Sequence, residues 1–444
     1  MTMLVVALAT AAASTTVTAG PAAAAADTAV GTYYSVTTNQ RVLDTRTGLG
    51  APKAPLGPRG EIALQLGGRA GIPTGNAASA VVLNLTGVTP TSSTYLTAYP
   101  SGSTRPGVSS LNLAPRAVRA NLVTVPVGSD GKVRIYNNSG SVNVVADVMG
   151  YYAGSDISGT KGIGSMYAPL ATPGRLFDSR DPDNGILVPG DSWILGYDFG
   201  AQNANVKAYA VNITAINGTG SGFVTAWDGT GARPNASNLN YVKGQVVPNM
   251  AVVPAVIDPG DGTPVFAIEN GSSTASVHVV VDVVGIYLVN QTEGLRFAPI
   301  APQRIVDTRN GLGDGVASPI GAAGTRTFTA GSPAALDATY AIVANATAIA
   351  PTRATYLTLF EADQARPPVS NLNVAAGEIA ANAAFVSLGT ANRFSVYNNS
   401  GSVNLALDVT GRFDLYQVPT AAAPLRSPSL DQAVEPGSAT RVQR

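Results

Sequence analysis

The chain has no cysteine, a single histidine, two tryptophans and only 12% charged residues. Without cysteine there is neither a disulfide framework nor a thiolate metal site. A Ser-His-Asp hydrolase would have to rest on His278, the single histidine, a Cys-His one lacks its cysteine, and a histidine zinc centre lacks its ligands. The 27 basic residues balance 27 acidic ones, so no long-range field draws the chain to nucleic acid or an anionic membrane. Beyond the leader, no apolar run reaches the roughly 18–20 residues that a spanning helix needs. Disorder of the main body is disfavoured as well, because 45% of the residues are hydrophobic and fall in patterned runs.

What is present is one block of residues written three times. Asn84, Tyr95, Thr97, Arg105, Leu111 and Asn121 recur at the same spacing as Asn212, Phe223, Thr225, Arg233, Leu239 and Asn249, and again as Asn345, Tyr356, Thr358, Arg366, Leu372 and Asn382. Units of roughly 130 residues are large enough for a core of their own, unlike the shorter repeats that must stack. The division expected is a signal peptide over 1–26, repeat 1 over 27–154, a linker over 155–165, repeat 2 over 166–290, repeat 3 over 291–417 and a disordered tail over 418–444. The leader has an apolar stretch at Leu4–Ala13 and ends in Ala24-Ala25-Ala26, which suits signal peptidase. No Lys or Arg precedes that stretch, which points to a start upstream of Met1.

Within each copy the apolar period is two, the mark of strands. Val142, Val144, Ala146 and Val148 share a face, as do Val277, Val279, Val281 and Val283, and Val403, Leu405, Leu407 and Val409. Turn signals such as Asn137-Asn138-Ser139-Gly140 separate the strands, and no segment carries a capped helical period. The fold expected is all-β: three tandem β-sandwich or jelly-roll-like domains of about seven or eight strands each, with a closed barrel as the alternative.

Three recurring motifs are candidates for chemistry. The first opens each copy as Arg41-Val42-Leu43-Asp44-Thr45-Arg46, Arg175-Leu176-Phe177-Asp178-Ser179-Arg180 and Arg304-Ile305-Val306-Asp307-Thr308-Arg309. In an extended chain, residues two apart share a face, so Asp44 meets Arg46, Asp178 meets Arg180 and Asp307 meets Arg309. We read this as a structural polar network, completed by Arg105, Arg233 and Arg366 or by Asp147, Asp282 and Asp408; a thrice-repeated ligand site is the alternative. The second is the loop Arg105-Pro106 to Asn112, matched by Arg233-Pro234 to Asn240 and Arg366-Pro367 to Asn373, where Ser and Asn side chains hold backbone that no ladder reaches. The third is an aromatic strip on one strand face: Tyr95, Thr97 and Tyr99, then Phe223, Thr225 and Trp227, then Tyr356, Thr358 and Phe360. Such a strip either stacks on sugar rings or belongs to a core.

Other signals have plainer readings. Asn84, Asn212 and Asn345, each with Thr two residues on, match a glycosylation pattern but sit in apolar strands. Asp181, Asp183 and Asn184 offer oxygen donors of the kind calcium takes, although the other copies lack those acids and a turn accounts for them. His278 stands where the other copies have Asn143 and Asn404 and reads as a polar strand residue. No cofactor or metal is expected.

Taken together, the Arg-x-x-Asp-[Thr/Ser]-Arg opening, the Ser-x-Leu-Asn run and the Val-x-x-Asp-Val-x-Gly ending resemble a repeat of secreted proteins from actinobacteria. The resemblance covers nearly all of residues 31–416 and implies export and a surface or accessory role, with no catalytic residues to carry over. The expected function is a non-enzymatic structural or adhesive protein of the cell envelope or extracellular space, with cell-wall or extracellular polysaccharide or other surface proteins as partners. A lectin-like protein using the aromatic strips is the alternative; a glycosidase would need two acids facing each other across a cleft.

Overall fold

The computed structural model describes residues 27–417, Val434 and 439–443. The expected signal peptide lies outside the described residues. Three lobes follow one another along the chain. Lobe 1 contains β1 (Tyr33–Asp44), β2 (Glu61–Gln65), β3 (Ala78–Val88), β4 (Thr94–Pro100), β5 (Leu111–Leu113), β6 (Val118–Pro126), β7 (Lys132–Asn137) and β8 (Asn143–Ala153). Lobe 2 contains β9 (Met166–Asp178), β10 (Ser192–Tyr197), β11 (Val206–Ile216), β12 (Gly222–Trp227), β13 (Leu239–Tyr241), β14 (Val246–Pro254), the short β15 (Val256–Ile257), β16 (Pro264–Asn270) and β17 (His278–Leu288). Lobe 3 contains β18 (Glu293–Asp307), β19 (Gly324–Thr329), β20 (Thr339–Ile349), β21 (Thr355–Glu361), β22 (Leu372–Val374), β23 (Ile379–Ser387), β24 (Arg393–Asn398) and β25 (Asn404–Gln417).

In lobe 1 the strands form two antiparallel sheets of order β1-β8-β3-β6 and β2-β7-β4-β5. Lobes 2 and 3 repeat that order, apart from β15 at the side of β16, and their inner sheets are linked by a single bridge between Leu295 and Tyr167. Two four-stranded sheets whose strands alternate between them in this order make a jelly roll.

The period-two pattern explains the packing. On β3, Val81, Leu83 and Leu85 enter the lobe's own core with Val144, Ala146 and Val148 of β8. The opposite face of the same sheet is buried too: Ala80, Val82, Leu122 and Met149 join a fourth core shared by all three lobes. Its centre is three cross-strand aromatic pairs, Tyr33 with Tyr152, Tyr167 with Tyr287 and Phe297 with Phe413. The rings of different lobes touch, with centroids 4.1 Å apart for Tyr152 and Phe297 and 4.4 Å for Tyr167 and Phe413. The glycine that closes the Val-x-x-Asp-Val-x-Gly motif now has a reason. A Cβ on Gly150, Gly285 or Gly411 would lie 2.3, 2.5 or 2.2 Å from the Tyr33, Tyr167 or Phe297 ring system.

Two expectations need correction. The tail is not wholly disordered: β26 (Ala439–Gln443) pairs antiparallel with β10 and covers the open edge of lobe 2's outer sheet, and Val434 packs against that lobe's core. The 155–165 linker carries a short helix, α1 (Ser158–Lys161), and returns to lobe 1 through a bridge between Ser165 and Tyr33.

A buried ring of asparagines joins the lobes. The side-chain amides of Asn121, Asn249 and Asn382 donate to the amide oxygens of Asn345, Asn84 and Asn212, at 2.8, 2.9 and 2.9 Å. The Asn249 Oδ1 accepts the Leu122 N–H, the Asn382 Oδ1 that of Met250, and the Asn121 Oδ1 that of Ala383, all within 3.1 Å. Lobe 1 thus leans on lobe 2, lobe 2 on lobe 3 and lobe 3 on lobe 1, an approximate threefold. Replacing Asn382 by Ala strips partners from the Met250 N–H, the Asn371 carbonyl and the Asn212 amide. At about 1–3 kcal/mol for each orphaned group, the expected loss is about 3 kcal/mol or more, read as a lower urea midpoint. An unchanged midpoint would show that the ring contributes nothing.

Candidate functional site

The Arg-x-x-Asp opening lies at the end of the first strand of each lobe, where it faces the last, β8, β17 or β25. Asp44 is buried and accepts the Arg46 Nε and Nη2 at 2.9 and 2.7 Å, a bidentate pair. Arg41 reaches Asp147 on β8 through Nε at 2.9 Å and touches Asp44 at 3.4 Å. Lobe 3 repeats this with Arg304, Asp307, Arg309 and Asp408, and lobe 2 with Arg175, Asp178, Arg180 and Asp282.

Arg105, Arg233 and Arg366 do not join the network. Arg105 lies over the Tyr136 ring at 3.8 Å and Arg366 over the Tyr397 ring at 4.0 Å, while Arg233 pairs with Glu269 at 2.6 Å. These arginines belong to the outer sheet and its loop, so of the two completions considered, the β8, β17 and β25 aspartates are the one formed.

The two carboxylates of each network titrate in opposite directions. The Arg309 hydrogen bonds pull Asp307 down to about 2, and those of Arg46 lower Asp44. Burial pushes Asp147 and Asp408 up, and takes Asp282 to about 6. Lobe 2 differs because Arg175 gives Asp282 one hydrogen bond, through Nε, with the Ser370 backbone as a further weak stabiliser of the charge, whereas Arg41 and Arg304 add an Nη2 on the second carboxylate oxygen.

These aspartates sit at lobe junctions. Asp147, Asp282 and Asp408 pair across the strands with Asn84, Asn212 and Asn345. The latter donate to the carbonyls of Ser237, Ser370 and Ser109 in the next lobe's Ser-x-Leu-Asn loop, at 2.5–2.7 Å. The buried asparagines of the glycosylation pattern are therefore junction residues.

The aromatic strips do not present three side chains to solvent. Thr97, Thr225 and Thr358 are fully buried, and each donates to a carbonyl of the Arg-Pro loop, Val108, Ala236 or Val369, at 2.7–2.8 Å. The loop is fastened over the middle of the strip. Tyr99 is buried against Glu61, Trp227 packs with Ile194 and Val265, and Tyr95, Phe223, Tyr356 and Phe360 are half-buried. A continuous flat sugar platform is thus not formed.

His278 lies 3.0 Å from the Ser179 hydroxyl, which also accepts the Val279 N–H. Thr45 with Asn143 and Thr308 with Asn404 do the same in the other lobes, so the histidine is one variant of a strand tie. Asp181, Asp183 and Asn184 form a turn held by the Asn184 amide on the Asp178 carbonyl. Among the described residues no cluster of three or more His, Cys, Asp or Glu is placed to hold a metal, and no helix is long and apolar enough to cross a membrane.

Where the Arg-x-x-Asp network of one lobe meets the Ser-x-Leu-Asn loop of the next, a cleft opens. Between lobes 2 and 3 it has a volume of about 380 Å³ and is lined by Arg175, Arg180, Thr214, Tyr356, Arg366 and Asn373, among others. Between lobes 3 and 1 the matching residues Arg304, Arg309, Thr347, Tyr95 and Asn112 line about 240 Å³. Sequence reasoning found both motifs but could not see that they come from different lobes.

Protonation gives a direct check on the network. Asp282 holds its proton more tightly folded than unfolded, so its contribution to stability falls as pH rises from about 4 to about 6 and is level above. Asp307 behaves oppositely: its contribution is complete above about 4 and is lost as pH falls towards about 2. Asp282→Asn is expected to remove the slope between pH 4 and 6, and Asp307→Asn to cost about 3 kcal/mol at pH 7. Thermal melts across pH 3–8 report both; parallel curves for Asp282→Asn and wild type would contradict the burial assignment.

No family model matches the sequence, and no curated protein matches it. Among solved structures, the chain is similar to one described as the atomic structure of Sulfolobus turreted icosahedral virus, with 11% identity, a TM-score of 0.16, and coverage of 89% of this chain and 99% of that one. It is also similar to one described as the triple jelly roll fold and turret assembly in an archaeal virus, with 10% identity, a TM-score of 0.16, and coverage of 88% and 97%.

Proposed function

We propose that this protein is a non-enzymatic structural or adhesive module that works outside the membrane, in the cell envelope or extracellular space. The observation that carries this reading is the use made of the repeated polar residues. Asn84, Asn121 and Asp147, with their counterparts, join lobe to lobe or strand to strand, and the strip threonines hold a loop. A module that resists force or proteolysis needs such internal fastening, whereas a hydrolase needs an open nucleophile beside a base.

Export is supported by the leader, with its apolar stretch and small-residue end. Balanced charge supports a partner other than nucleic acid, and the partners proposed are polysaccharide or surface proteins.

The test is retention of residues 27–444 on isolated cell-wall material and on immobilised glycans, together with fractionation of the native cells. The expected result is recovery in the envelope or medium and retention on wall material. A cytosolic location, or passage through every wall and glycan column without delay, would overturn the reading.

A further inference from the structure

The Arg-x-x-Asp and Ser-x-Leu-Asn motifs of neighbouring lobes meet at the junctions, and the side chains they leave in the larger cleft have hydrogen-bond capacity that the fold does not use. Arg180 spends Nε and Nη2 on Asp178 and keeps Nη1 open. Arg175 binds Asp282 through Nε and Asp178 through Nη1, while its Nη2, the atom that Arg41 and Arg304 commit to carboxylates, makes no hydrogen bond among the described residues. Arg366 is exposed, stacks over Tyr397, and makes no ion pair among the described residues. Thr214 lines the cleft, although its hydroxyl is turned into the protein, where it has no partner. Half-buried Tyr356 adds an aromatic wall, and Asn373, whose Oδ1 accepts from Ser370, adds an amide.

From this geometry we propose that the cleft between lobes 2 and 3 binds a saccharide unit carrying an oxyanion, either the carboxylate of an acidic sugar or the phosphate of a polyol phosphate. Guanidinium forks match an oxyanion, an amide matches sugar hydroxyls, and a tyrosine wall matches the apolar face of a ring. The cleft between lobes 3 and 1 repeats this with Arg304, Arg309 and an equally unpartnered Thr347, but Arg105 is not among its lining residues. It is therefore a weaker second site, and two sites on one rigid body favour a polymer over a monomer.

This inference deepens the envelope reading by giving it a ligand, and the two fail separately. The full chain from residue 27 is titrated calorimetrically with a hyaluronan tetrasaccharide, a glycerol phosphate trimer and neutral maltotetraose. We expect saturable binding of an acidic probe, with maltotetraose weaker by about tenfold or more, and the preferred acidic probe decides between carboxylate and phosphate. Arg366→Ala should weaken binding by about tenfold with an unchanged melting midpoint, and Arg366→Lys by less. Equal affinity for the neutral probe, no binding of either acidic probe, or an unaffected Arg366→Ala would each overturn the proposal. Retention on wall material without binding to the acidic probes would remove the cleft site and leave the envelope reading. Binding of an acidic probe by a protein found only in the cytosol would do the reverse.

Discussion

The asparagine ring is the constraint on which the rest of the molecule depends. Each jelly roll ends one sheet in an edge strand, β6, β14 or β23, whose outward N–H groups need acceptors or water. The neighbouring lobe supplies the acceptor as a buried amide, and the same amide's N–H₂ is consumed by another asparagine and a loop carbonyl. A half-satisfied ring would leave several buried polar groups bare at once, a worse outcome than an apolar junction. It therefore favours one arrangement of three lobes over any with two. The shared aromatic core adds area without direction, and the amides add direction.

The same logic explains why both faces of the inner sheet are buried. A sheet with one wet face would read as alternation of apolar and polar residues. Here β3 reads Ala80-Val81-Val82-Leu83, with Val81 and Leu83 facing the lobe's own core and Ala80 and Val82 facing the shared one. Small residues on the shared side bring the sheets close enough for the rings of β1 and β8 to interlock with those of β17, β18 and β25. The bare glycines under Tyr33, Tyr167 and Phe297 are part of that fit.

Much of this was legible in the sequence, and the missing part is informative. Strand period and turn residues pointed to an all-β, jelly-roll-like chain, because both signals are local. The partnership of Asp44 with Arg46 was legible for the same reason, since residues two apart share a strand face. That Asn84 bonds a carbonyl 153 residues away was not, because nothing local distinguishes an amide aimed at its own lobe from one aimed at the next. Nothing in the sequence separates a polar residue that holds its own copy in shape from Asn84, Asn121 and their counterparts, which hold the copies to one another. The aromatic strip stays open in the sequence for a similar reason: alternation puts Tyr95, Thr97 and Tyr99 on one face, but only the Arg-Pro loop's return across Thr97 decides what that face meets.

Linking three copies in one chain has a further consequence. A trimer of identical chains would carry three identical junctions, whereas a fused chain lets each junction drift while the ring keeps its geometry. The differences fall at the solvent-facing rim and spare the amides. Arg233 is paired with Glu269, Arg366 is left to a tyrosine face, and Phe223 stands where Tyr95 and Tyr356 stand elsewhere. Thr347 is as unpartnered as Thr214, and Arg105 stacks on a tyrosine as Arg366 does, so these do not set one junction apart. What distinguishes the junction of lobes 2 and 3 is Arg175, which keeps Nη2 off Asp282 where Arg41 and Arg304 commit theirs to the matching aspartate, and a donor the fold leaves open is one that a ligand can use.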